Sequence, residues 1–167
     1  MDERFLRAEE IGIRLEIVNR LPIWEPHPVY RHQEEVDRIR ASIERSVSSQ
    51  ATQNQACECV HAADVYINFP DGSLKRPDIA IFCREPAEEE KDEAITILPE
   101  AVIEVVSKGY EAKDIEIAPK FYLSQGVKDV VIFNPYTNEV MHVRPDGEKH
   151  LTSPVALFFE CGCKCTV

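Results

Sequence analysis

Apolar and polar residues alternate from Gly12 to Val18, with Ile13, Leu15 and Ile17 set against Arg14 and Glu16. A period of two is that of a half-buried strand. A second short strand over Leu21 to Trp24 completes a hairpin, and Pro22, Pro26 and Pro28 punctuate the chain around and after it. The period then changes. Val36, Ile39, Ile43 and Val47 recur at helical spacing, which predicts a helix from about Tyr30 to Gln50 with one apolar stripe. Extending the stripe backwards at about 100° per residue puts His32 on it and Glu35 at its edge. His32 is therefore expected to point inward, either as a hydrogen-bonded core histidine or as support for a site.

Further on, strand patterns dominate. One strand is predicted from Cys57 to Phe69 and another from Leu74 to Cys83, joined by the turn Pro70-Asp71-Gly72-Ser73. Ala101 to Val106 reads as a buried strand, because only Glu104 interrupts its apolar run. A helical stretch over about Glu111 to Gln125 closes at Gly126. Pro119 lies inside it, so the helix kinks or restarts there. Asp129 to Phe133 and Glu139 to Arg144 read as two strands about the turn Asn134 to Asn138, with a turn and a final edge strand beyond them. This order predicts an α/β (α+β) fold with a mixed sheet, in a single domain spanning residues 1–167.

Composition adds limits. No apolar run reaches the roughly 18 residues that span a bilayer, and Met1 to Glu10 lack the apolar core of a signal peptide. A cytoplasmic protein is expected, with no membrane partner. The net charge of −11 argues against a nonspecific nucleic-acid binder, which relies on an overall basic field. It leaves room for an enzyme that meets DNA through a local basic patch and metal ions. Arg7, Arg14, Arg31, Arg38 and Arg45 are candidates for phosphate contacts, though a solvated helix face explains them as simply. The acidic run from Glu85 to Glu93 reads as a solvated loop.

Six cysteines are present, at positions 57, 59, 83, 161, 163 and 165. Without an export signal they are expected as reduced thiols. The clusters Cys57-x-Cys59 and Cys161-x-Cys163-x-Cys165 invite a zinc reading, but their spacing is not that of a Cys-x-x-Cys knuckle. Alternate residues of a strand share a face, so small core residues explain both clusters.

Two carboxylates stand out by their apolar neighbours. Asp78 opens Pro77-Asp78-Ile79-Ala80-Ile81-Phe82, and Glu104 sits within Val102-Ile103-Glu104-Val105-Val106. An ionised carboxylate in a buried strand is costly unless it is paired or metal-bound. Two such strands side by side bring both acids to one spot, where oxygen ligands suit Mg²⁺ or Mn²⁺. The alternative is that each acid pairs with a nearby cation, and Arg76 is available.

Several short motifs occur in a fixed order: Glu16-Ile17-Val18-Asn19, His32-Gln33, Pro77-Asp78, Glu104-Val105-Val106-Ser107, Asp114, Tyr122, Gly126-Val127 and Asn134-Pro135. Together, over roughly residues 11 to 145, they resemble the Uma-two family of the restriction-endonuclease-like PD-(D/E)XK superfamily. The resemblance implies a mixed central sheet flanked by helices and a phosphodiesterase-type site. It implies Asp78 and Glu104 as catalytic metal ligands, the backbone carbonyl of Val105 as a third ligand, and Glu16 and His32 as supporting residues. The ion lowers the pKa of water and stabilises charge on the phosphate, and a lysine helps to position or activate that water.

The lysine is where this sequence departs. In the superfamily it lies two residues after the acid, on the same strand face, where this chain has Val106. In the family it lies on the following helix, where this chain has Ala118. Lys108 continues the face of Glu104 and Val106 and is the first substitute; Lys120 is the second, about 200° out of helical phase with the family position. Lys113 is expected to point to solvent. The leading functional expectation is a divalent-metal-dependent DNA endonuclease. The second is a catalytically degenerate relative serving as a nucleic-acid-binding or dimerising module, favoured by the missing lysine and the acidic balance. A third is a zinc-stabilised interaction domain. The superfamily often dimerises, and the strands from Asp129 to Arg144 offer an edge for a homodimer.

Overall fold

The computed structural model describes residues 3–46 and 56–167. Helix α1 (Glu3–Glu10), not foreseen from the sequence, leads into the expected hairpin of β1 (Arg14–Val18) and β2 (Leu21–Glu25). The turn residues Asn19 and Arg20 take φ of 51° and 67°, the left-handed pair that a two-residue hairpin loop requires. Helix α2 (Tyr30–Ala41) buries His32, Val36 and Ile39, as the apolar stripe predicts. It ends well before Gln50. The Ser42 hydroxyl donates to the Ile39 carbonyl at 2.7 Å and accepts the Thr166 N–H at 2.8 Å, turning the chain toward the C-terminal strands. The short strand β3 (Glu44–Arg45) comes next. Val47 and the rest of the expected helix lie outside the described residues.

The two long strands expected over residues 57–83 are each interrupted. Strand β4 (Val60–Ala62) is followed by Asp64 at φ 57°, then by β5 (Ile67–Asn68). The predicted turn at Pro70 to Ser73 joins β5 to β6 (Leu74–Lys75), and β7 (Ile79–Phe82) comes after it. Strands β2, β1, β6 and β5 form one sheet in that order, so the first hairpin is stitched to the second.

A six-stranded sheet carries the molecule. Beyond β7 it contains β8 (Ala101–Val105), β9 (Asp129–Asn134), β10 (Glu139–Arg144) and β11 (Gly147–Thr152), in the order β11-β10-β9-β8-β7-β4. Only β8 and β9 run parallel, joined through α3 (Ala118–Ser124). The mixed α+β fold is thus as expected. Central strands are buried on both faces, which explains their unbroken apolar runs. One face, with Ile79, Ile81, Ile103, Val105, Val131 and Phe133, packs against Val36 and Ile39 of α2. The other, with Ala80, Phe82, Val102, Val106, Val130 and Ile132, packs against Phe121 and Tyr122 of α3.

Three expectations need correction. The strands from Asp129 to Arg144 are no pairing edge, because β9 is internal and β11 covers the outer side of β10. The C-terminal residues form a second small sheet, β12 (Ala156–Phe158), β13 (Cys163–Thr166) and β3. The cysteines are not all free thiols: Cys57, ahead of β4, pairs with Cys83 at the end of the neighbouring β7, and Cys59 pairs with Cys163 of β13. Cys161 and Cys165 remain as thiols. Among the described residues no helix is long and apolar enough to cross a membrane.

Candidate active site

Register decides whether the two acids meet. Ile79 pairs with Ile103 in the antiparallel ladder of β7 and β8, so the preceding residue Asp78 stands opposite Glu104. Directly opposed residues project from the same face. The backbone N–H of Asp78 donates to Glu104 Oε2 at 3.1 Å, and the backbone N–H of Val105 donates to Asp78 Oδ2 at 2.8 Å. The two carboxylates are held by each other's strands. Arg76, the alternative partner, does not pair with either: its guanidinium binds Asp64 and its backbone N–H donates to Glu16.

Both acids line a narrow cleft of about 30 Å³, together with Glu16, His32, Val105, Lys113 and Asp114. His32 reaches over from α2, its Nε2 3.1 Å from Asp78 Oδ2. Burial pulls the imidazole pKa down, but the hydrogen bond and charge of Asp78 outweigh it and hold the pKa above the ordinary value. The inward direction of His32 therefore follows the helical stripe, and its partner is the strand acid.

Glu104 is buried, and Tyr122 of α3 donates its hydroxyl to Glu104 Oε1. Burial drives the Glu104 carboxyl well above the ordinary carboxylate range, and the charges of Asp78 and Glu16 add to this against the pull of Lys75. Asp114 is pushed up to about 6, by burial first and by Asp78 next, with Lys113 opposing. Glu16 goes the other way. Burial raises it, but Lys75 and Lys113 more than offset that and lower its pKa. Lys75 is itself buried, 2.9 Å from Glu16 Oε2, with its ammonium 5.0 Å from the centre of the Tyr122 ring.

Six carboxylates line the cleft, Glu16, Glu25, Asp64, Asp78, Glu104 and Asp114, and Lys75 and Lys113 both pair with Glu16. Asp78 Oδ1 accepts no hydrogen bond among the described residues. Carboxylate oxygens with an unused lone pair, beside the Val105 backbone, are the donor set of a hard divalent cation. The residues present fit such an ion.

The lysines are redistributed relative to expectation. Lys108 and Lys120 do not line the cleft; Lys120 borders a separate depression with Val18, Asn19 and Phe121. Lys113, expected in solvent, does line it and forms ion pairs with Glu16, at 3.5 Å, and with Glu25. The reason is local: residues Lys113–Ile117 form a π-helical turn ahead of α3. A π turn advances each residue by less than an α turn and shifts the phase of everything N-terminal to Pro119. Of the arginines proposed for phosphate contact, Arg14 lines the cleft, joined by Arg76. Arg31 lies over the Tyr136 ring and Arg38 pairs with Glu35. Sequence reasoning gave no role to Lys75, Asp114 or Tyr122. The last two carried a signal, since they stand in the motifs that suggested the family.

Comparison with known proteins places the chain in a family and matches its fold to a solved structure. The profile of the Uma2 family, described as "Putative restriction endonuclease", matches residues 2–159. Among solved structures, one described as "a putative nuclease belonging to DUF820" from Anabaena variabilis ATCC 29413 superposes with a TM-score of 0.65. It is 21% identical in sequence, and the match covers 93% of this chain and 86% of that one. At that identity the likeness shows the fold. No curated protein matches the sequence.

Proposed function

Because the chain belongs to the Uma2 family, described as "Putative restriction endonuclease", we propose that it is a divalent-metal-dependent nuclease acting on DNA phosphodiester bonds. The observation that carries this reading is the convergence of Asp78 and Glu104 from adjacent strands into one cleft, with Asp78 Oδ1 left open. Asp78, Glu104 and the Val105 carbonyl would hold Mg²⁺ or Mn²⁺. Such an ion supplies charge to the phosphoryl oxygens and acidifies water.

The chain's own residues supply the rest. The Val105 N–H and His32 fix the Asp78 carboxylate in place. Tyr122 fixes Glu104 from the other side. Glu16 holds Lys75 and draws Lys113 toward the cleft. Lys113 is the one lysine whose ammonium borders the cleft, so it takes the part of orienting the attacking water and meeting the phosphate's charge. Arg14 and Arg76 line the cleft, both paired with Asp64, and would exchange that partner for a DNA backbone.

A specific observation favours the second reading. Lys113 is already engaged by Glu16 and Glu25, which fits a relative that kept the fold, lost catalysis and serves as a nucleic-acid-binding or dimerising module. Plasmid nicking with Mg²⁺ and with Mn²⁺ separates the two. We expect relaxation of supercoiled DNA by the wild type and its loss, by at least about 100-fold, in Asp78→Ala, the scale of removing a group that stabilises the transition state. Absence of cleavage with either metal would support the degenerate relative instead.

A further inference from the structure

A second group of candidate ligands lies outside the acidic cleft. Cys57 and Cys59 precede β4, Cys83 follows β7, Cys161 precedes β13 and Cys163 begins it. Topology brings them into two overlapping groups that share Cys57. The sulfurs of Cys57, Cys59 and Cys163 lie within 4.8 Å of one another, and so do those of Cys57, Cys83 and Cys161. The sulfurs of Cys57 and Cys163, from different disulfides, are 3.6 Å apart. None of these residues lines the cleft that holds Asp78 and Glu104.

Each disulfide brings only its own two sulfurs together. Four thiolates around one zinc also bring sulfurs of different pairs into contact, as Cys57 and Cys163 are here. With Zn–S near 2.3 Å, the edge of a thiolate tetrahedron is about 3.8 Å, which the Cys57–Cys163 separation of 3.6 Å matches. The donor set is sulfur alone, which selects a thiophilic cation over Mg²⁺.

We propose that the reduced protein binds one zinc ion through the buried group Cys57, Cys59 and Cys163, with Cys83, the neighbour of Cys57, as fourth ligand, pinning the C-terminal sheet to the edge of the large one. The short Cys-x-Cys spacing argues against zinc only when each cluster is taken alone; the ligands come from three segments. A dithiol reductant links the two forms. Two dithiols give four electrons and four protons to the two disulfides, becoming two disulfides themselves and leaving four protein thiols. Binding of Zn²⁺ to those four sulfurs releases the four protons.

Zinc content and cobalt spectra of full-length protein, kept reduced with a phosphine, test this. We expect about one equivalent of zinc by mass spectrometry, and with Co²⁺ the intense thiolate-to-metal band and visible absorption of a tetrahedral site. Zinc should remain at one equivalent in Asp78→Ala and in Cys165→Ser, and fall to under about a tenth in Cys57→Ser and in Cys163→Ser. Reduced wild type without zinc, and without the Co²⁺ band, would overturn the proposal, and that result needs no variant to fold. So would zinc retained in full by Cys57→Ser, or iron with visible colour in place of zinc.

Discussion

The acid pair was legible because a lone carboxylate inside an apolar strand has few affordable explanations. Lys113 was not legible, because its direction depends on a π turn that no residue pattern announces. If Lys113 orients water, Lys113→Met should lower nicking by at least about 100-fold in the presence of Mn²⁺. Lys120→Met, which alters a different depression, should change it less than about threefold; a loss confined to Lys120→Met would give the role to the second candidate of the sequence. A second residue-scale prediction concerns Asp129, fully buried where β9 begins. Burial alone would raise its carboxyl, but His142, the Glu160 N–H and Arg144 together hold it below its ordinary 3.8. A depressed acid stabilises the fold above its unfolded pKa and loses that contribution as pH falls through the folded value. Asp129→Asn should therefore cost about 3 kcal/mol at neutral pH, the scale of breaking a buried pair. In urea titrations its gap from the wild type should shrink steadily below about pH 4, where the unfolded-state carboxyl begins to protonate.

Among the elements, short-range signals were read well and terminations poorly. The Asn19-Arg20 turn, the apolar stripe of α2 and the β5–β6 turn all depend on residues close in sequence. The end of α2 at Ala41 depends on Thr166, far along the chain, through the Ser42 hydroxyl. The same holds for β3, which exists only because β13 pairs with it, Arg45 against Cys163. Gly126 is a case where local reasoning suffices. It lies just past α3 at φ 98°, and a Cβ there would sit 3.3 Å from Leu98 Cδ2. Gly126→Ala should destabilise by about 1–2 kcal/mol, the penalty for placing an L residue in the left-handed region, with the midpoint in urea as the readout. An unchanged midpoint would mean that the turn relaxes to another conformation.

For the whole molecule, the excess of negative charge and the acidic cleft belong together. A chain with net charge −11 has no overall field to draw DNA in, so charge must be supplied at the site. A cation that binds the folded cleft and not the unfolded chain stabilises by mass action, about 2.7 kcal/mol at a hundred times its Kd. For a chain of this size that is a rise in Tm of at least about 5 °C. Mn²⁺ should produce it in the wild type and not in Asp78→Ala, and EDTA should reverse it. The same rise in both proteins would place the ion elsewhere.

The two acids face each other through strand register, Ile79 against Ile103, and the peptide that joins their strands is fixed where Ile95 pairs with Tyr66 and Asn68. Ahead of that anchor the connection should tolerate added length. Asp92 and Glu93 are both exposed in that connection, so a fluorophore-bearing tag or an epitope spliced between them should leave the cleft's chemistry intact. That makes the acidic connection a practical attachment point for watching this protein on DNA.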